Sequence, residues 1–138
     1  NWIDLKTEFI LDEKGQLTQL LQHWEFDVYY SAIKLSDIEK EHDSQQQGLH
    51  KLAKQMAENL KNYDYFSELK VENQSIDLPK PSGYLLKTIV KQGQQQLLLT
   101  MRFRMNNSPI IKRKTLSWRV FDPSYYIDMR HQKSSHIL

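Results

Sequence analysis

Two runs of strict alternation constrain what this chain can fold into. Ile3, Leu5, Thr7, Phe9 and Leu11 alternate with Asp4, Lys6, Glu8, Ile10 and Asp12. Leu97, Leu99, Met101, Phe103 and Met105 alternate with Leu98, Thr100, Arg102 and Arg104. Successive side chains of a strand point to opposite faces, so each run is a strand with one face to bury. Asp12-Glu13-Lys14-Gly15 reads as a turn, with Gly15 free to take positive φ, and Leu20, Gln22, Trp24 and Phe26 share one face of a second strand. The first two strands are therefore expected to form a hairpin.

Between the two runs the period changes. Leu49, Leu52, Ala53, Met56, Ala57 and Leu60 recur at helical spacing, with Lys51, Lys54, Gln55, Glu58 and Lys61 opposite. That is an amphipathic helix suited to packing on a sheet. From Asp27 to His42 the spacing is rougher, and Ser36-Asp37-Ile38-Glu39 has the form of a capping box that would start a separate short helix. Further strands are expected at Tyr65–Val71, Tyr84–Lys91 and Leu116–Val120, with Gln92-Gly93-Gln94 as a turn and Ser134-Ser135-His136 in a frayed tail. The expected class is α+β, an antiparallel, meander-rich sheet with helices packed on one face, in a single domain over 1–138 trimmed at both ends.

Composition excludes several classes of function. There is no Cys, so disulfides and thiolate metal sites are ruled out. No apolar run reaches the roughly 18 residues of a spanning helix. Net charge is only +2, and acids are interspersed with bases except at Lys112-Arg113-Lys114, so no nucleic-acid partner is expected. No Gly-x-Ser-x-Gly elbow and no Gly-rich phosphate loop is present, so the chain reads as a binding or accessory protein and not an enzyme. Asp43-Ser44-Gln45-Gln46-Gln47-Gly48 has the rhythm of an EF-hand loop, but its ligand positions carry neutral Gln and its twelfth position is Lys54. A cation there repels calcium, so no calcium is expected.

The five His residues, His23, His42, His50, His131 and His136, are scattered. Of these His23, with Glu25 and Asp27 at period-two spacing, is the group expected to ligate a transition metal if the chain holds one. A second cluster combines Tyr29 and Tyr30 with Asp122, Tyr125, Tyr126 and Asp128. Both segments follow strand ends, so these residues are expected to gather as a polar-aromatic binding rim for a metal, a small ligand or a protein. The same residues also fit a plain structural reading, with Asp122 capping a turn and the Tyr rings closing the core edge.

The segment Trp2-Ile3-Asp4-Leu5-Lys6-Thr7-Glu8-Phe9, then Trp24-Glu25-Phe26-Asp27 with Tyr29-Tyr30-Ser31-Ala32, then Asn59-Leu60 to Asp64-Tyr65-Phe66, and finally Phe121-Asp122-Pro123-Ser124-Tyr125-Tyr126 together resemble a bacterial domain-of-unknown-function family. That family is described as the periplasmic component of an ABC-type transport system, and the chain looks closest to its Zev-type zinc-utilisation members. The resemblance implies a periplasmic location and a role in transition-metal acquisition beside a membrane permease of the nickel/cobalt-transporter type. Members begin with a His-Pro-His segment just before the position of Trp2, which implies that metal ligands precede Asn1. The alternative is a protein-interaction module with no metal site of its own.

Overall fold

A computed structural model gives the structure of the chain and describes residues 2–41, 44–61, 67–71, 74–76, 78–105, 116–120, 128–131 and 136–137. The two alternating runs are strands. β1 (Trp2–Leu11) and β2 (Leu17–Phe26) form the expected antiparallel hairpin, with Ile3 opposite Phe26 and Leu5 opposite Trp24. Asp12 builds its turn: Oδ1 accepts from the backbone N–H of Lys14 and of Gln16, both at 2.9 Å. Gly15 takes φ 76°, a left-handed value that a Cβ disfavours.

A second hairpin joins β5 (Gly83–Lys91) to β6 (Gln94–Arg104) through Gln92-Gly93, both at positive φ. Two central residues with positive φ make a type I′ turn, whose twist suits two paired strands. β6 pairs antiparallel with β2, so the hairpins lie side by side in the order β5-β6-β2-β1. The register puts Leu5, Trp24, Leu99 and Leu86 in one row across four strands, each buried. Phe9, Leu20 and Phe103 form a parallel row. This one face is the core, and its large side chains contribute most of the burial that drives folding.

Two helices cover that face. α1 (Val28–Glu41) follows β2 after one residue, Asp27, which serves as its N-cap: Oδ1 accepts from Tyr30 N–H at 2.7 Å, and the Asp27 carbonyl accepts from Ser31 N–H at 3.0 Å. α2 (Gln45–Lys61) is capped by Ser44, whose Oγ accepts from Gln47 N–H at 3.1 Å. Ala53 and Met56 of α2 enter the core directly, while Tyr30 and Leu35 of α1 pack against its edge. The chain is therefore α+β, with an antiparallel sheet and helices on one face. Among the described residues no helix is long and apolar enough to cross a membrane.

Two local expectations are corrected and one is narrowed. Ser36 does not start a helix: it lies exposed in the middle of α1, which runs on because no Gly or Pro interrupts 28–41 and because Ser36 and Asp37 face outward. Gln45–Gly48 are the first turn of α2, so of the loop or helix lead-in that this polar stretch allows the structure has the latter. His136, expected in a frayed tail, is paired instead, while Ser134 and Ser135 lie outside the described residues: β8 (Asp128–His131) and β9 (His136–Ile137) pair parallel with β1. The sheet is thus antiparallel in its four long strands and parallel at its β1 edge. β7 (Leu116–Val120) also leaves the main sheet, pairing with β3 (Ser67–Val71) and β4 (Gln74–Ile76) in a separate three-stranded sheet. Tyr65 and Phe66, expected to open β3, lie outside the described residues.

Two substitutions test this account. Trp24→Ala is expected to cost about 3–5 kcal/mol in urea unfolding, since it empties the centre of the core. Ser36→Ala is expected to be neutral or stabilising by about 0.5 kcal/mol, the propensity difference at an exposed mid-helix site. A loss near 1 kcal/mol, the usual effect of removing a cap, would contradict the continuous α1.

Candidate functional site

The other face of the sheet is not covered by the helices, and polar side chains concentrate there. Asp4, Lys6 and Glu8 of β1 alternate with the core residues, so they project to this open face, as do His23 and Glu25 of β2 and Thr100 of β6. The register sets Lys6 opposite His23, Thr100 opposite His23 on the other side, and Asp4 opposite Glu25. Asp4, Lys6, Glu8, His23, Glu25 and Leu98 line one pocket of about 200 Å³.

His23 is held from two sides. Its Nδ1 lies 2.9 Å from Thr100 Oγ1, and its Nε2 lies 3.4 Å from Glu8 Oε1. A neutral ring that accepts at Nδ1 from the Thr100 hydroxyl carries its proton on Nε2, toward Glu8. The hydroxyl can equally accept, so the other tautomer is open and would free the Nε2 lone pair. Burial lowers the His23 pKa below the ordinary value of 6.5, with Lys6 and Lys87 acting in the same sense and Glu8 opposing them. Desolvation wins because the ring sits in the sheet surface with only 22% of its side chain exposed.

Glu25 and Asp4 are like charges directly opposite, an unfavourable cross-strand pair. Lys91, at the end of β5, offsets this: its Nζ lies 2.8 Å from Glu25 Oε1. The contact with Glu25, and the charge of Asp4 beyond it, raise the Lys91 pKa. Lys6 in turn sits 3.7 Å from Glu8. The pocket is therefore a balanced network of acids and lysines around one imidazole, not a bare acidic cage.

The sequence-derived ligands separate here. His23 and Glu25 share the pocket. Asp27 does not line it: it is 3% exposed and its carboxylate caps α1. Glu8 and Thr100, which hold His23, were not marked by spacing, because the sheet register alone brings them to it. Among the described residues no group of three or more His, Asp or Glu side chains is placed to hold a metal ion. The carboxylates at the pocket are shared with lysines, so this donor set does not fit a resident zinc.

The rim residues divide as well. Tyr29 is exposed at the start of α1. Tyr30 turns inward, stacking on Phe26 with ring centroids 5.0 Å apart, and Lys34 Nζ lies 5.6 Å over its ring. Burial, followed by the charge of Asp27, raises the Tyr30 pKa. Asp128 opens β8 beside Trp2, at the same end of the sheet as Phe26. Asp122, Tyr125 and Tyr126 lie outside the described residues, as does His42. His50 is exposed on α2, and His131 and His136 are in register with Leu5 and Glu8 of β1. A cleft of about 580 Å³ between α1, α2 and β6 has Glu39 as the one ionisable group among its described lining residues, so it offers little chemistry.

The family model described as Protein of unknown function (DUF1007) matches residues 1–137. The chain belongs to this family. No curated protein and no solved structure matches it. The one imidazole of the open-face pocket is thus a feature of a DUF1007 chain, found from its own geometry.

The depressed pKa of His23 carries a sign for stability. The fold favours the neutral ring, so its contribution is complete above the unfolded value of about 6.5 and is lost as pH falls from there through the lower folded value. Urea midpoints measured at pH 7.5 and 5 should therefore fall more for the wild type than for His23→Asn. An equal or smaller fall in the wild type would contradict the desolvated ring.

Proposed function

We propose that this DUF1007 chain is a periplasmic accessory protein in transition-metal acquisition, with zinc as the cargo and nickel as the alternative. In this reading it acts with a membrane permease of the nickel/cobalt-transporter type and catalyses no reaction. The resemblance carried by Trp2–Phe9, Trp24–Asp27 and Phe121–Tyr126 supports this reading. The single structural observation behind its metal side is the His23 imidazole, set beside Glu8, Glu25 and Asp4 in one open pocket. A lone imidazole whose neighbouring acids are shared with lysines suits weak, exchangeable contact with a passing ion. It does not suit tight storage, which takes three or four dedicated ligands.

The second reading is a protein-interaction module with no metal site of its own. One observation favours it: Tyr29 and Ile33 lie one helical turn apart on α1 and are 81% and 62% exposed. Large apolar side chains at that spacing on a helix are the form a partner's groove accepts.

Calorimetry with zinc distinguishes the two. Under the first reading the protein takes up zinc weakly at pH 7.5, and His23→Ala weakens uptake about tenfold, the effect of losing roughly 1.4 kcal/mol of interaction. Uptake also fades by pH 5 as protons compete for the ring. Identical zinc titrations for the wild type and His23→Ala would remove His23 from metal handling. Loss of crosslinking to a coexpressed permease in a folded Tyr29→Ser, Ile33→Ser variant would then support the second reading.

A further inference from the structure

β5 is the outer strand of the sheet, and among the described residues nothing pairs with its far edge. Its direction of hydrogen bonding follows from the turn. Lys91 and Gln94 flank a two-residue loop, so they are the bonded pair that closes the hairpin. Counting back by twos, Ile89, Lys87, Leu85 and Gly83 also bond to β6. The N–H and C=O groups of Val90, Thr88, Leu86 and Tyr84 therefore point away from the sheet. An independent contact agrees with this parity from the other side of β6, where Leu97 N–H points away from β5 and donates to Ser31 Oγ at 2.8 Å.

Exposed edges invite pairing with another chain, and proteins usually blunt them with short strands, bulges, proline or charged side chains such as lysine. Of these β5 has only Lys87 and Lys91. It runs for nine residues, keeps register with β6 from Gly83 to Lys91 without a shift, and contains no Pro. Leu85 and Val90 on it are 60% and 68% exposed. A groove of about 400 Å³ lies between this strand and the first half of α2, bordered by Leu49, His50, Ala53, Tyr84, Leu86 and Lys87. A strand edge beside a helix is the geometry in which an extended peptide is added to a sheet.

Charge selects the occupant. The described residues lining the groove include Lys87 and His50 and no carboxylate. Lys87 and Lys91 share the open-face side of the strand with Leu85 and Ile89, while Tyr84, Leu86 and Val90 face the α2 side. A strand added here meets basic and apolar neighbours on one face and apolar neighbours on the other. A second copy of β5 is the poorer fit, since full antiparallel overlap centres Lys87 on its own counterpart and sets like charges opposite. We propose that the outer edge of β5 and the groove under α2 bind an extended segment of a partner protein in which apolar residues alternate with acidic ones. The proposal does not rest on metal handling, since the groove shares no lining residue with the His23 pocket.

The test uses the whole chain and two short synthetic peptides with blocked ends, one alternating valine with glutamate and one alternating valine with lysine. Amide hydrogen exchange and chemical shifts are followed by NMR. The glutamate peptide is expected to protect the amides of Leu86, Thr88 and Val90 and to bind about tenfold more tightly than the lysine peptide. Thr88→Pro removes an outward N–H while sparing the bonds to β6, and should abolish that protection. Lys87→Glu, a surface change that leaves the backbone untouched, should reverse the preference between peptides; it gives a separate answer if Thr88→Pro does not fold. Equal binding of both peptides, shifts centred away from β5, or no protection in the wild type would each overturn the proposal. Self-association lost in Thr88→Pro would assign the edge to a second copy instead, and would equally overturn it.

Discussion

The chain leaves β2 at Phe26 and enters α1 at Val28, so a single residue must turn it from the plane of the sheet onto its covered face. What holds that corner is a small buried set of hydrogen bonds. Ser31 Oγ accepts from Leu97 N–H at 2.8 Å, one residue past Glu25–Leu98, the last pair between β2 and β6. The same hydroxyl lies 3.4 Å from the Phe26 carbonyl, which also accepts from Gln96 Nε2 at 3.0 Å. Ser31 and Gln96 are both buried, so none of these groups has water as a substitute partner. The hydroxyl thus serves as the missing strand: it satisfies β6 and pins α1 in one contact. With Asp27 capping the helix, the direction of α1 is set, and the covered face of the sheet follows.

Covering one face determines the character of the other. Each strand that sends Leu5, Trp24 or Leu99 inward must send its neighbours outward, and the outward set is rich in ionisable groups. These do not form isolated charges. Lys91 answers Glu25, Lys6 answers Glu8, and Arg102 donates to Gln19 across the β2–β6 pair. His23 sits in the middle of this surface, dry enough to stay neutral yet bordered by groups of both signs. The site is thus a by-product of one-sided packing, tuned by register.

Much of the fold was legible, and the reasons it was not elsewhere are specific. β1, β2, β6 and α2 announce themselves through period, because each buries one face and polar residues occupy the other. The boundary at Ser36 was misread because a capping box names residue types, while the outward direction of Ser36 depends on where α1 began, eight residues earlier at Val28. β8 and β9 are four and two residues long, too short to show a period, and their partner lies at the other end of the chain. At the site, the alternation that grouped His23 with Glu25 was sound, and it ended at Asp27 because the chain turned there. Glu8 and Thr100 reach His23 only through the register of three strands, which turn chemistry fixes and single-strand spacing does not express.

The parallel pairing of β1 with β8 and β9 has a consequence for the order in which the protein can assemble. β1 gains its first partner, β2, within a few residues, but its second side is completed by Asp128–His131 and His136–Ile137. Closing so long a span is entropically costly, and contacts of such separation form late in folding. In a chain emerging residue by residue from a ribosome, β1 is made long before β8 and β9, so it is completed on both sides late. Until β8 and β9 arrive, its outer edge is an open template, so β1 is a segment a folding helper would have reason to shield.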